Sequence, residues 1–179
     1  MRARLRDLEN EASGLVRRLR SAPETELAGA HLMLETGGKH ALLGAASVVE
    51  VVRAVALQPV PGVASAVAGA FNCRGRSLFA LDLGALLEGR AARAPGLEAH
   101  LVVLGTAAPL ALLVDKVKAV VTGVTLVADE RRGGRSAEEP EVPERRAQQL
   151  SRLVARVGDQ VMPLLDAGAL SAFVGGMAP

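Results

Sequence analysis

The chain contains no Trp, no Tyr and only three Phe among 179 residues, although half of it is apolar. Its core must therefore be filled by Ala, Val and Leu, and a surface that stacks nucleic-acid bases on exposed aromatics has almost nothing to build with. The single cysteine, Cys73, excludes an intrachain disulfide framework and a cysteine-rich zinc site, and it suits a reducing cytoplasm. Charge of one sign is lacking as well: 21 Lys and Arg stand against 19 Asp and Glu, a formal charge of +2 that requires no nucleic-acid partner. A charged N-terminus argues against a secretory signal. The longest apolar run, Leu101 to Val114, is interrupted by Pro109 and stopped by Asp115, short of the ~20 residues that a spanning helix needs. These absences predict a soluble cytoplasmic protein without direct membrane insertion, long enough for one domain or two small subdomains that share a core.

What is present centres on Val60 to Leu87. The segment reads as a short helical link, a strand, a tight turn at Asn72-Cys73-Arg74-Gly75, a second strand and a brief helix opened by Asp82. The apolar runs Val67–Cys73 and Leu78–Leu83 are too close together for a crossover, so a β-hairpin is expected. Gly75 can take the positive φ that the reversal needs, which lifts the Arg74 guanidinium clear of the strands. A planar, permanently charged fork on an apolar scaffold suits a protein contact better than chemistry.

Residues 1–22 carry Leu5, Leu8, Ala12, Leu15 and Leu19 along one stripe and end at Pro23, the pattern of an amphipathic helix. A helix of that length is marginal alone, so residues 1–20 are expected to dock on their own barrel, a partner helix or a second copy. His31–Glu35 and His40–Leu43, separated by Thr36-Gly37-Gly38-Lys39, read as a first hairpin. Its two histidines lack the further ligands of a metal site. Val48-Val49-Glu50-Val51-Val52 is a β-branched run whose one charge, Glu50, must face solvent or a partner, with Arg53 as a local pairing candidate. Leu101–Leu104, Leu110–Val114, Val117–Val121 and Thr125–Val127 are further strands, while Gln148 to Val157 fits helix and strand alike. Asp129 to Arg146, charged and rich in Gly and Pro, predicts a mobile loop over about 129–146.

An internal echo supports two subdomains. Aligning Leu81-Asp82 with Leu165-Asp166 also superposes Gly84-Ala85-Leu86 on Gly168-Ala169-Leu170. In both copies an apolar strand ends at an Asp that can accept the first free N–H groups of a short helix. That local role accounts for Asp82 and Asp166 without invoking an acid–base pair. Cys73 reads as an inert packed thiol, His100 has no evident catalytic partner, and Gly133-Gly134 lacks the ending of a phosphate-binding loop. No enzyme, cofactor or metal site is indicated.

The order Val48-Val49-Glu50-Val51, Val60-Pro61, Asn72-Cys73-Arg74-Gly75, Leu81-Asp82-Leu83 and Val114-Asp115-Lys116-Val117 resembles the CheW-like chemotaxis coupling proteins from about Ala30 onwards. The resemblance implies a mainly β fold of two small five-stranded SH3-like barrels over residues 30–179, to which the N-terminal helix is an addition. It makes Leu153–Val157 a strand paired across Gly158-Asp159 with Gln160–Leu165. It also implies a non-catalytic adaptor in chemosensory signal transduction. Its partners would be the cytoplasmic tip of a methyl-accepting chemoreceptor and the regulatory domain of a CheA-type histidine kinase, in receptor arrays. Glu50, Val51, Asn72, Arg74 and Gly75 would form the protein-contact surface. Two alternatives stay open at this point: a reduced adaptor that keeps one of the two contacts, and a small basic β-barrel that binds nucleic acid.

Overall fold

The computed structural model describes residues 25–129 and 153–176. The predicted N-terminal helix and nearly all of the predicted loop lie outside the described residues.

The β-branched and alternating runs become strands, and glycine marks the reversals. In chain order the elements are β1 (Thr25–Leu27), β2 (His31–Thr36), β3 (Lys39–Gly44), a 3-10 turn at Ala45–Ser47, β4 (Val48–Arg53), β5 (Val67–Cys73), β6 (Arg76–Asp82) and α1 (Leu83–Glu88). They continue with β7 (His100–Leu104), β8 (Leu110–Val114), β9 (Lys116–Val121), β10 (Val124–Asp129), β11 (Leu153–Val157), β12 (Gln160–Leu165) and α2 (Ala167–Gly175).

Two sheets result, one ordered β4-β7-β8-β6-β5 and the other β1-β10-β11-β12-β3-β2-β9. The two orders superpose, with β9, β2, β3, β12 and β11 standing where β4, β7, β8, β6 and β5 stand. In each, one strand pair is parallel, β6 with β8 and β12 with β3. Each also closes in the same way. The chain leaving β4 crosses to β5, where Gln58 bridges Ala70; the chain leaving β9 turns at Gly123, with φ 66°, into β10, which pairs with β11. The expected pair of five-stranded barrels is therefore present. The larger sheet counts seven strands because its closing segment is long enough to form β10 and because β1 pairs beside it. In the smaller barrel the closure depends on Gly69, where a Cβ would lie 2.6 Å from the Gln58 carbonyl oxygen.

Three apolar clusters follow from the period of two along each strand. On β8, Leu110, Leu112 and Val114 face a cluster shared between the barrels, while Ala111 and Leu113 face the interior of the smaller one beside Phe71, Leu78 and Leu101. On β3, Ala41 and Leu43 join the shared cluster, and Leu42 turns into the larger barrel beside Val124, Ala155, Met162 and Leu164. Burial on both faces is why β8 reads as an unbroken apolar run. Leucine replaces the missing aromatics: Leu34, Leu43, Leu81, Leu112 and Leu170 are wholly buried, each contributing about 1.5–3 kcal/mol on transfer from water.

Two local expectations are corrected. The link at Val60–Ala66 is a pair of turns, with Gly62 at φ 75°, and not a short helix; the left-handed backbone at Gly62 interrupts any right-handed helical run. Strand β1 has no counterpart in the sequence reading, because three residues carry no periodic signal.

Candidate functional site

The β5–β6 hairpin reverses one residue later than the sequence reading placed it. Cys73 pairs with Arg76, and Arg74 and Gly75 occupy the turn at φ 50° and 79°. Consecutive positive φ values match the right-handed twist of the flanking strands. Gly75 takes its conformation freely, whereas Arg74 is the one non-glycine with positive φ among the described residues. Asn72 Oδ1 accepts from the Gly75 N–H at 3.0 Å and so shapes the turn from within.

The Arg74 side chain is 81% exposed, yet its fork lies on Glu50: Nε donates to Oε1 at 2.9 Å and Nη2 to Oε2 at 2.9 Å. Glu50 comes from β4, the other margin of the five-stranded sheet, and its side chain keeps 20% exposure. The pair therefore spans the seam where β4 and β5 approach without a continuous ladder. Hydrogen bonds from Arg74 hold the Glu50 carboxyl below the usual carboxylate range. Cys73 Sγ sits 3.6 Å from Glu50 Oε1. Burial first, then the adjacent carboxylate, push its thiol pKa up, which favours the packed, unreactive reading.

Beside this clamp, Val49, Val51 and Val55 expose 65%, 40% and 51% of their surface. The structure thus brings Glu50, Asn72, Arg74 and Gly75 together at one end of the smaller barrel, while Val51 follows Glu50 on β4 with its side chain on the opposite face. Arg53 does not pair with Glu50, contrary to the sequence reading; its Nη2 lies 2.7 Å from Glu98 Oε1. Inward positions on β4 carry Val48, Glu50 and Val52, so Arg53 points the other way.

The other polar residues have structural duties. Asp82 Oδ1 accepts from the Gly84 and Ala85 N–H groups at the start of α1, and Oδ2 accepts from Arg90 Nη1 and the Arg93 N–H. Asp166 Oδ1 accepts from Gly168 and Ala169 in the same manner. Sequence reasoning missed Arg90, whose Nε also donates to Glu88 at 2.7 Å; it lies in an irregular segment where no period betrays it. His31 is buried, and His40 lies 3.2 Å from Glu35. Among the described residues no three His, Cys, Asp or Glu side chains gather as a metal site would require, and no helix is long and apolar enough to cross a membrane.

A search of the curated proteins gives no match. Among solved structures, the crystal structure of the scaffolding protein TtCheW from Thermoanaerobacter tengcongensis is similar, with a TM-score of 0.57 over 82% of this chain and 89% of that one, at 17% identity. At that identity the likeness concerns the fold, two barrels with a shared core. The family model for the CheW-like domain matches residues 30–173. Apart from β1, those limits take in both barrels, the Glu50–Arg74 clamp, α1 and α2 as far as Phe173, and the chain belongs to the CheW-like domain family.

Proposed function

We propose that the chain is a non-catalytic adaptor that couples a chemoreceptor to a CheA-type histidine kinase. The observation that carries this reading is the Arg74 side chain, 81% exposed and oriented by two hydrogen bonds from its fork to Glu50. A pre-oriented, still exposed guanidinium has the character of an interface anchor: Arg is enriched at interfaces, and its ordering cost is met before the partner arrives. The end of the smaller barrel with Glu50, Val51, Asn72, Arg74 and Gly75 would grip the helical hairpin tip of the receptor. A different barrel surface would bind the kinase regulatory domain, itself CheW-like, and receptor signals would bias the kinase through shared geometry with no covalent change in the adaptor. Such work takes place in the cytoplasm at receptor arrays and needs no cofactor.

The test is a pair of titrations with parent and Arg74→Glu proteins, one against a receptor cytoplasmic fragment and one against the kinase regulatory domain. The reading expects receptor affinity to fall by about tenfold or more while kinase affinity changes less than about threefold. Parent-like receptor binding by Arg74→Glu would remove Arg74 from the contact, and a variant that unfolds would make it structural. Salt-dependent binding of single-stranded oligonucleotides by the parent would instead favour the nucleic-acid alternative.

A further inference from the structure

The two barrels meet mainly through the shared apolar cluster, whose close packing carries no directional bond. Directional contacts between them include the Ala108 N–H on Ser171 Oγ at 3.0 Å and a group at the tip of the β2–β3 hairpin. Gly37 and Gly38, at φ 54° and 74°, form its turn beyond the last strand pair, Thr36 with Lys39. The Gly37 N–H is not consumed within the hairpin. It donates to Asp115 Oδ2 at 2.7 Å, and the Asp115 N–H donates back to the Glu35 carbonyl at 2.9 Å.

The chain changes barrels twice, at Ala45–Ser47 between β3 and β4 and at Asp115, the one residue between β8 and β9, so the second joint is itself hydrogen-bonded to the hairpin. Two neighbouring ion pairs flank it. Lys39 Nζ of the larger barrel lies 3.0 Å from Glu88 Oε1 of α1, and Glu88 Oε2 accepts from Arg90, which in turn holds Asp82. Lys118 Nζ lies 3.1 Å from Glu35 Oε2, tying β9 to β2 just past the joint.

We propose that Asp115, gripping the Gly37 N–H and supported by the Lys39–Glu88 pair, is a latch that fixes the angle between the barrels. Asp115 is a positioning residue and touches no partner. The consequence for function rests on the adaptor reading: a scaffold that binds two proteins through two surfaces transmits geometry only as well as its barrels hold their relative orientation. Asp115 is exposed, so water can satisfy Gly37 after its removal and the fold survives. The angle does not.

The experiment measures the angle on the isolated full chain, independently of any partner. Spin labels are placed at Leu97→Cys in the smaller barrel, where the side chain is 94% exposed, and at Asp159→Cys in the β11–β12 turn of the larger, in a Cys73→Ser background. Pulsed dipolar spectroscopy then gives the distance distribution. The latch predicts a narrow distribution in the parent, a broadened and shifted one in Asp115→Ala, and recovery of the parent distribution in Asp115→Asn, whose side-chain oxygen still accepts from Gly37. Lys39→Ala, a surface change, is expected to broaden it less. A parent-like distribution in Asp115→Ala overturns the proposal, as does broadening that Asp115→Asn shares. Should Asp115→Ala fail to fold, the latch stands or falls on broadening in Lys39→Ala together with a parent-like Asp115→Asn. In a second arm, Asp115→Ala keeps each pairwise affinity within about threefold but loses receptor control of kinase activity in the ternary complex. A broadened Asp115→Ala whose parent binds neither partner would sink the adaptor reading and leave the latch intact.

Discussion

The two barrels have one strand order but finish their corresponding hairpins differently. In the smaller barrel the β5–β6 turn holds Arg74 at φ 50° and extends its fork to Glu50 across the seam; in the larger, the β11–β12 turn uses Gly158 at φ 55°, followed by Asp159. Left-handed backbone is disfavoured for a residue with a Cβ, and glycine serves that purpose at the larger barrel's turn. The smaller barrel keeps an arginine in that conformation, which is the feature the proposed contact uses. The closing helices differ as well. Asp82, 4% exposed, satisfies two N–H groups of α1 and also binds Arg90 and the Arg93 N–H, whereas Asp166 is partly exposed at the head of α2.

The largest expected effect separates those two caps. Asp82→Ala removes a buried carboxylate from four donors, leaving Arg90 with Glu88 and the Ala91 carbonyl, and it should cost about 3 kcal/mol in denaturant unfolding. Asp166→Ala, the loss of an N-cap, should cost about 1 kcal/mol. Equal costs would erase the asymmetry drawn between the helices.

A second, smaller effect concerns the seam. Glu50→Gln keeps the size of the side chain but loses the charge that orients Arg74, and receptor-fragment affinity should fall by about threefold to tenfold with the kinase contact unaffected. Asp159→Asn in the equivalent turn should change neither titration. An effect of similar size at both turns would assign the contact to shape common to the barrels, and not to the clamp.

Acidity sharpens the comparison further. Hydrogen bonds from Arg74 hold Glu50 below the usual carboxylate range, those from Lys118 and His40 do so for Glu35, and those from Arg90 and Lys39 for Glu88. A folded-state pKa below the unfolded value near ~4.3 adds stability that is complete above that value and disappears as pH falls through the folded one. These three groups should therefore contribute no slope to a Tm profile at neutral pH and a decline below about pH 4. Glu50→Gln should flatten part of that decline. The smallest effect is at Cys73: its thiol should react with a disulfide reagent at pH 8 more slowly than a free thiol. Because burial is the leading cause of its raised pKa, Glu50→Gln should quicken it only slightly.

Much of the scaffold was legible in the sequence. Hairpins announced themselves through Gly37-Gly38 and Gly75, and the two Asp caps through the echo of Leu81-Asp82 in Leu165-Asp166. What escaped lacked periodicity or depended on distant pairing. β1 is three residues long, Arg90 is irregular, and Asp115 meets Gly37 only because β9 pairs with β2, some eighty residues earlier in the chain. Arg53 illustrates the limit of local reasoning, since nearness to Glu50 in sequence says nothing about which strand face each occupies. Positive φ at Arg74 was hidden too, because the glycine beside it offered an easier account.

The most direct test of the central claim is Arg74→Gly, measured by thermal unfolding and by titration with the receptor fragment. Glycine relieves the left-handed backbone while deleting the guanidinium, so the account predicts a Tm within about 4 °C of the parent together with receptor affinity lower by about tenfold or more. A variant that binds the receptor as the parent does, or one whose Tm collapses, would contradict it.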